Sequence, residues 1–388
     1  MKGERLKIGI IGASASGIYS ALLLALSGRG YEIHLFDHAD KIGKKVLATG
    51  NGHCNFLHRP FSPQAYNDPS FVESLWKNVG EEKLQQYLDA LGIESLVKGE
   101  LVYPLSYNAA AFVRHLGNLL AKNGVRVSLN EEVKDVDGGR VVTDSGVHDF
   151  DIVIFAFGGK SQSNLGSDGS LFSVLGKRGY HITPLSPGLC PLRCADVPKS
   201  LAGVRHGALV TLEGGKALYQ EDGEVLFKKD GISGIAVMNA SLHFQPGTRL
   251  HLDLFPSISK AELAEKLARS LSQNGDDFLV PFAEKPLAEF LANKAKNAAK
   301  TPSISEKSMQ FASLMKDLIF HPIERYGFAE SQVTCGGVDL ANVNEHLQSA
   351  IDPRHYFVGE CLDIHGYCGG HNLGFALLSA IVVSEAIA

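Results

Sequence analysis

Three groups of residues in this chain have the types and spacing that chemistry needs. The first is Gly12-Ala13-Ser14-Ala15-Ser16-Gly17. Between a strand and a helix, this spacing turns the backbone tightly at Gly12, aims helix N-terminal amides at a pyrophosphate, and lets the helix pack closely at Gly17. Ser14 replaces the middle glycine of the usual pattern, narrowing the room for phosphate while adding a hydroxyl donor. The second is Asp37, which ends the next apolar run. A carboxylate there accepts hydrogen bonds from a ribose diol and repels a 2′-phosphate, so the site suits FAD or NAD better than NADP. The third group begins at Tyr356-Phe357-Val358-Gly359-Glu360, continues through Asp363, Gly366, Gly369, Gly370, His371 and Asn372, and enters a helix-like run at Leu373. FAD is longer than NAD and needs such a second cradle. The helix dipole there stabilises negative charge on the flavin's pyrimidine edge.

Candidate acid–base groups sit in the same glycine-rich loops: His53, Cys54, His365, Tyr367 and His371. Each also reads as a packing or cofactor-contact residue, because flavin chemistry often needs no protein base. The six cysteines, Cys54, Cys190, Cys194, Cys335, Cys361 and Cys368, include no C-x-x-C pair and no zinc-ribbon spacing, so no metal site is expected. No close pair follows the first glycine loop, which argues against a redox disulfide. Free thiols in a reducing compartment are the expectation.

The elements that must position these groups follow from periodicity. Residues 6–11 form a short apolar run suited to a buried parallel strand, 15–26 carry small and aliphatic residues at helical spacing, and 31–36 form a second strand. Helices are expected over 69–78, 81–91 and 109–123. Strands are expected near 96–103 and 125–129, a hairpin over 137–147, and a buried strand over 152–157 closed by Gly158-Gly159. From 187 to 254, short β-rich runs alternate with turns such as Glu213-Gly214-Gly215 and Glu221-Asp222-Gly223, which suggests a small antiparallel domain. The pattern turns helical from 257, with Ser259 and Glu262 spaced as a capping box. The fold class is therefore α/β: a discontinuous Rossmann-like domain (1–186 and 334–388) with an inserted antiparallel β-barrel-like domain (187–256 and 321–333) that itself carries a helical insertion (257–320).

At 388 residues the chain fits two or three domains. The formal net charge of -5 gives no electrostatic reason to expect nucleic acid or an anionic membrane as partner. The Lys294, Lys296 and Lys300 cluster reads as a solvated helix face near Glu284 and Glu289. No apolar run approaches the roughly 18–20 residues of a membrane span, and no signal-peptide pattern opens the chain, so a cytoplasmic protein acting on a small molecule is expected.

Several stretches in order along the chain are similar to one family. They are Gly43-Lys44-Lys45-Val46-Leu47-Ala48-Thr49-Gly50-Asn51-Gly52-His53-Cys54-Asn55, Ala156-Phe157-Gly158-Gly159-Lys160-Ser161, Gly231-Ile232-Ser233-Gly234, Thr334-Cys335-Gly336-Gly337-Val338, and the loop from Gly359 to Leu373. The chain resembles the bacterial FAD-dependent oxidoreductases that include aminoacetone oxidase and a bile-acid-pathway reductase. The resemblance implies non-covalent FAD held by Gly12, Ser14, Ala15, Ser16, Gly17, Asp37, Lys44, Thr49, Gly50, Gly52, Cys54, Asn55, Val133, Gly158, Gly159, Gly359, Glu360, Asp363, Gly370, His371, Asn372 and Leu373. The family usually has an arginine where His53 stands, and an acid and an aromatic where His365 and His371 stand, which points to a different substrate preference.

Hydride transfer between a small organic substrate and flavin N5 is the expected reaction. With only one strand–glycine–helix nucleotide unit, an oxidase cycle on an amine or aminoketone is favoured. The alternatives are reduction of an enone by transiently bound NAD(P)H, and a non-catalytic flavin-binding or RNA-modification accessory role. Residues from about 187 to 333 are expected to cover the flavin face.

Overall fold

A computed structural model describes residues 5–214, 217–295 and 303–388. Gly215, Lys296 and Lys300 lie outside the described residues. The chain divides into two compact units: one runs to Pro187 and resumes over Gln332–Ala388, and the other is Gly188–Ser331.

The first unit is built on β1 (Lys7–Ile11), β2 (Glu32–Phe36), β3 (Arg126–Ser128), β4 (Ile152–Phe155) and β5 (His355–Phe357). They form one sheet in the order β5-β4-β1-β2-β3, every neighbour parallel. The central strand explains the order. Ile8 and Ile10 are buried on one face and Ile11 on the other, so both faces of the sheet need cover, which parallel crossovers supply. On one face α1 (Ala15–Leu26) packs against α2 (His371–Ile387). In α2 the run Phe375-Ala376-Leu377-Leu378 is buried all round, as a helix sealed between layers requires.

The helices expected over 69–78 and 81–91 form one element, Pro69–Ala90, interrupted at Gly80, whose φ of 65° breaks the helical backbone. Asp68 caps its start through Phe71 N. The expected 137–147 hairpin is part of a three-stranded meander, Val133–Asp137, Arg140–Thr143 and Val147–Asp149.

The second unit is a seven-stranded antiparallel sheet with four helices among its described residues, Ile235–Ser241, Lys260–Asn274, Lys285–Ala295 and Ile304–Lys316. Its two edge strands, Leu318–Phe320 and Pro322–Arg325, are separated only by His321, so the sheet curls until its edges meet. Ser259 accepts from Glu262 N as expected, while the reciprocal capping box forms at Ser303 and Glu306. Among the described residues no helix is long and apolar enough to cross a membrane.

Candidate cofactor site

The turn between β1 and α1 has the geometry its glycines allow. Gly12 sits at φ 112°, and a methyl group there would lie 2.3 Å from Ala156 O. At Gly17 a methyl would lie 1.8 Å from Gly12 O, so the helix reaches this close only with glycine. Ser14 is the N-cap residue but makes no side-chain cap, and its carbonyl takes Ile18 N at 2.9 Å. The first-turn amides of Ala15, Ser16 and Gly17 therefore have no intrahelical acceptor, the condition under which a helix N-terminus is able to hold an anion. Asp37 stands at the end of β2 and uses both oxygens on the turn, taking Ala13 N at 2.6 Å and Ala39 N at 2.8 Å. It shapes the nucleotide loop while keeping a free lone pair on each oxygen.

Beside this turn lies a pocket lined by Gly12, Asp37, His38, Val133, Phe157 and Asp168, with Glu131 and Glu132 at its margin. Val133 is therefore brought to the same place as Gly12 and Asp37. The Ser145 hydroxyl, with Thr143, holds the Glu131 carboxyl down at about 2. This wall of carboxylates would repel a phosphate on a bound ribose.

A second set of residues meets at Glu360. One carboxylate oxygen accepts Lys45 Nζ at 2.7 Å and the other accepts Thr334 N at 2.9 Å. Thr334 Oγ1 in turn accepts the amides of Lys160, at 2.7 Å, and Ser161, at 3.1 Å. A methyl on Gly159 would strike Thr334 Oγ1 at 2.3 Å. Four separate sequence stretches thus form one hydrogen-bonded network. Lys44 instead pairs with Asp40 at 3.2 Å on the surface. Lys45 and Thr334 are members of this network that reading the sequence did not single out, although both lie in the quoted stretches.

The loop from 43 to 55 runs the length of this cradle. Gly43 N donates to Ala13 O at 2.7 Å, Lys45 reaches Glu360, and Asn55 Oδ1 lies 2.7 Å from where a methyl on Gly370 would be. Left-handed backbone at Gly50, Asn51, Gly52 and Cys54 folds it tightly. Thr49 braces the loop from inside through Oγ1 to Val46 O at 2.7 Å. The Cys54 thiol is fully buried and pushed up to about 12 by burial, which favours its neutral form.

At the far end, Gly359 N donates to Ser379 Oγ at 2.9 Å, and Asp363 accepts Gly336 N at 3.1 Å. Gly158 is also left-handed, at φ 76°. Gly370, at φ 91°, starts α2. Asn372 ties the preceding loop to the helix, accepting Gly366 N and donating to Gly366 O, both at 2.9 Å, and half-buried Leu373 follows it. His371 is buried, stacked on His58 with ring centroids 4.3 Å apart, and lowered to about 4, first by burial and then by His58. Its Nδ1 and Asn55 Oδ1 are buried atoms without a hydrogen-bond partner. His365 is held through its backbone by Asn67, and Tyr367 N donates to Ala65 O at 3.0 Å. The structure therefore brings His371 to the α2 terminus and leaves His365 and Tyr367 in the loop before it. No group of three or more His, Cys, Asp or Glu side chains among the described residues is placed to hold a metal.

A parallel sheet whose first crossover carries uncapped helix amides and a strand-end carboxylate defines a Rossmann-type dinucleotide-binding protein. The chain belongs to the HI0933-like family, whose Rossmann-domain model matches residues 6–386. It is 30% identical over 404 residues to a 3-dehydro-bile acid delta(4,6)-reductase of Clostridium scindens, covering 98% of this chain and 99% of the relative. It is 28% identical over 397 residues to a ribosomal RNA dihydrouridine synthase of Escherichia coli, covering 97% of this chain and 96% of that protein. A ribosomal RNA dihydrouridine synthase of Haemophilus influenzae matches at 28% over 401 residues, with 97% of each chain covered.

Proposed function

We propose that this protein is an FAD-dependent reductase that saturates a ring carbon–carbon double bond conjugated to a carbonyl. One observation carries this reading. The two activities named for its full-length relatives share that bond change, in a 3-oxo bile acid with double bonds at 4 and 6, and in the 5,6 bond of a uracil ring. FAD fits the residues present. The uncapped amides of α1 suit its pyrophosphate, the carboxylate-lined pocket suits an unphosphorylated adenosine, and the unpartnered polar atoms at Asn55 and His371 mark a further polar region at the α2 terminus. Bound FAD would supply the hydride-carrying centre, and Lys45, Glu360 and Asp37 would fix the loops around it.

A nicotinamide is the natural reductant, binding transiently at the flavin face. The amine oxidase cycle is the second reading, favoured by the one parallel crossover with a glycine-rich nucleotide turn among the described residues. The test is anaerobic stopped-flow absorbance on the yellow holoprotein. Bleaching by NADH or NADPH, followed by reoxidation with 2-cyclohexen-1-one, a 3-oxo-4-ene steroid or a uridine-containing RNA, supports the reductase. Bleaching by an amine with peroxide release, and none by either nicotinamide, overturns it. The net charge of -5 favours a small molecule among these acceptors, and reoxidation by RNA alone would reverse that choice.

A further inference from the structure

We propose that His53 is the catalytic acid of this site, presenting Nε2 to the substrate, and that Tyr107 is the positioning residue that holds its imidazole. The inference rests on the reductase reading above. Saturating a conjugated double bond breaks its π bond and forms two C–H bonds. Bound FAD, reduced by a nicotinamide, would supply the hydride for the β carbon. The proton for the α carbon must come from a group on the protein or from water.

His53 is built for that task. Its Nδ1 lies 2.9 Å from Tyr107 O. A carbonyl only accepts, so Nδ1 carries the hydrogen and Nε2 is left as the nitrogen that gains and loses a proton. No hydrogen bond occupies Nε2 among the described residues. The imidazole also lies flat on the Tyr107 ring, centroids 4.0 Å apart and planes 14° from parallel. Tyr107 is itself fixed. Its backbone is left-handed at φ 50°, its N–H donates to Pro104 O at 2.7 Å, and the Lys98 ammonium sits 3.6 Å from its ring centroid. A bulky residue held in that backbone region is an uncommon conformation that the surroundings must enforce.

Position agrees with chemistry. The loop that carries His53 runs from the dinucleotide turn at Ala13 past Glu360 to the α2 terminus at Gly370, and His53 stands two residues before Asn55 at that last contact. The titratable groups packed on this side are the Tyr107 and Tyr103 phenols and the Lys98 ammonium. In the step, imidazolium Nε2–H gives its proton to the α carbon, and water returns a proton to Nε2.

The experiment uses the FAD-loaded protein and 4-chlorophenol, an electron-rich ring whose phenolate absorbs at long wavelength when stacked on oxidised flavin. Wild type at pH 7 is expected to take the phenol proton on Nε2 and develop that band. 4-Chloroanisole, with no proton to give, is expected to bind at least tenfold more weakly. H53Q should lose at least tenfold in phenol affinity at unchanged flavin content. Y107F should match wild type because stack and carbonyl survive, whereas Y107G should lose affinity at unchanged flavin content. No band in wild type, equal binding of phenol and anisole, or equal binding by H53Q overturns the assignment. The variant-free comparison stands even where H53Q fails to hold FAD. Failed enone reoxidation with a positive phenol result sinks the reductase reading and leaves His53 at the flavin face. The reverse pattern sinks His53 alone.

Discussion

The Lys45 ammonium meets the Glu360 carboxylate at 2.7 Å across 315 residues of sequence, joining the first glycine loop to the last. Both side chains are mostly buried, at 16% and 20% exposure, so the pair is screened far less than a surface ion pair.

Lys45→Met is accordingly expected to weaken FAD binding roughly tenfold, equivalent to about 1.4 kcal/mol, with little change in the far-UV spectrum. Lys44→Met, which breaks only a surface pair with Asp40, is expected to change affinity less than twofold. Quenching of flavin fluorescence on titration into apoprotein measures both.

Asp37→Ala removes the acceptor of two backbone amides, at Ala13 and Ala39, as well as the expected ribose contacts. Charge-assisted bonds of this kind contribute about 1.5–3 kcal/mol each, so the variant is expected to purify with little or no flavin. Retention of FAD at wild-type stoichiometry, read from the absorbance ratio, would contradict that role.

Gly17→Ala and Gly176→Ala should behave oppositely. The first drives a methyl to 1.8 Å from Gly12 O, which forces α1 off the turn and abolishes cofactor uptake. At Gly176, inside the Ser170–Lys177 helix, a methyl meets nothing within 4 Å, and alanine is expected to stabilise by roughly 0.5–1 kcal/mol. Thermal melts with flavin content distinguish them.

Stability should fall as the pH drops below neutrality. His371 is lowered from 6.5 to about 4 in the folded protein, so between those values the unfolded chain binds the proton first. The neutral form's contribution is complete above about 6.5 and is lost as the pH falls through that window, on the order of 3 kcal/mol in total. His34, also lowered to about 4 chiefly by burial, acts in the same direction. His371→Phe keeps the stack on His58 and should flatten the decline in melting temperature between pH 7 and pH 5. An unchanged slope would show that His371 does not set it.

The nucleotide half of the site was legible in the sequence because its signals are local. The 12–17 glycine spacing, the strand ending at Asp37 and the loop entering α2 each lie within one turn of chain, and backbone sterics alone fix what glycine allows there. The gap left between 69–78 and 81–91 falls at Gly80 and was legible for the same reason, and Ser259 caps its helix as read, whereas the closed capping box at Ser303 and Glu306 went unread, since local propensity does not say which of two competing local bonds forms.

Tertiary structure alone decided which polar groups meet. Lys44 and Lys45 are adjacent and chemically alike, but successive side chains on the short Lys44–Leu47 helix point about 100° apart, so only Lys45 reaches Glu360. The same holds for His53 on Tyr107 and His371 on His58, pairs separated by 54 and 313 positions in the numbering. Residue types set what each group is able to do. Its partner, its tautomer and its burial come from packing between distant segments, which no local pattern encodes.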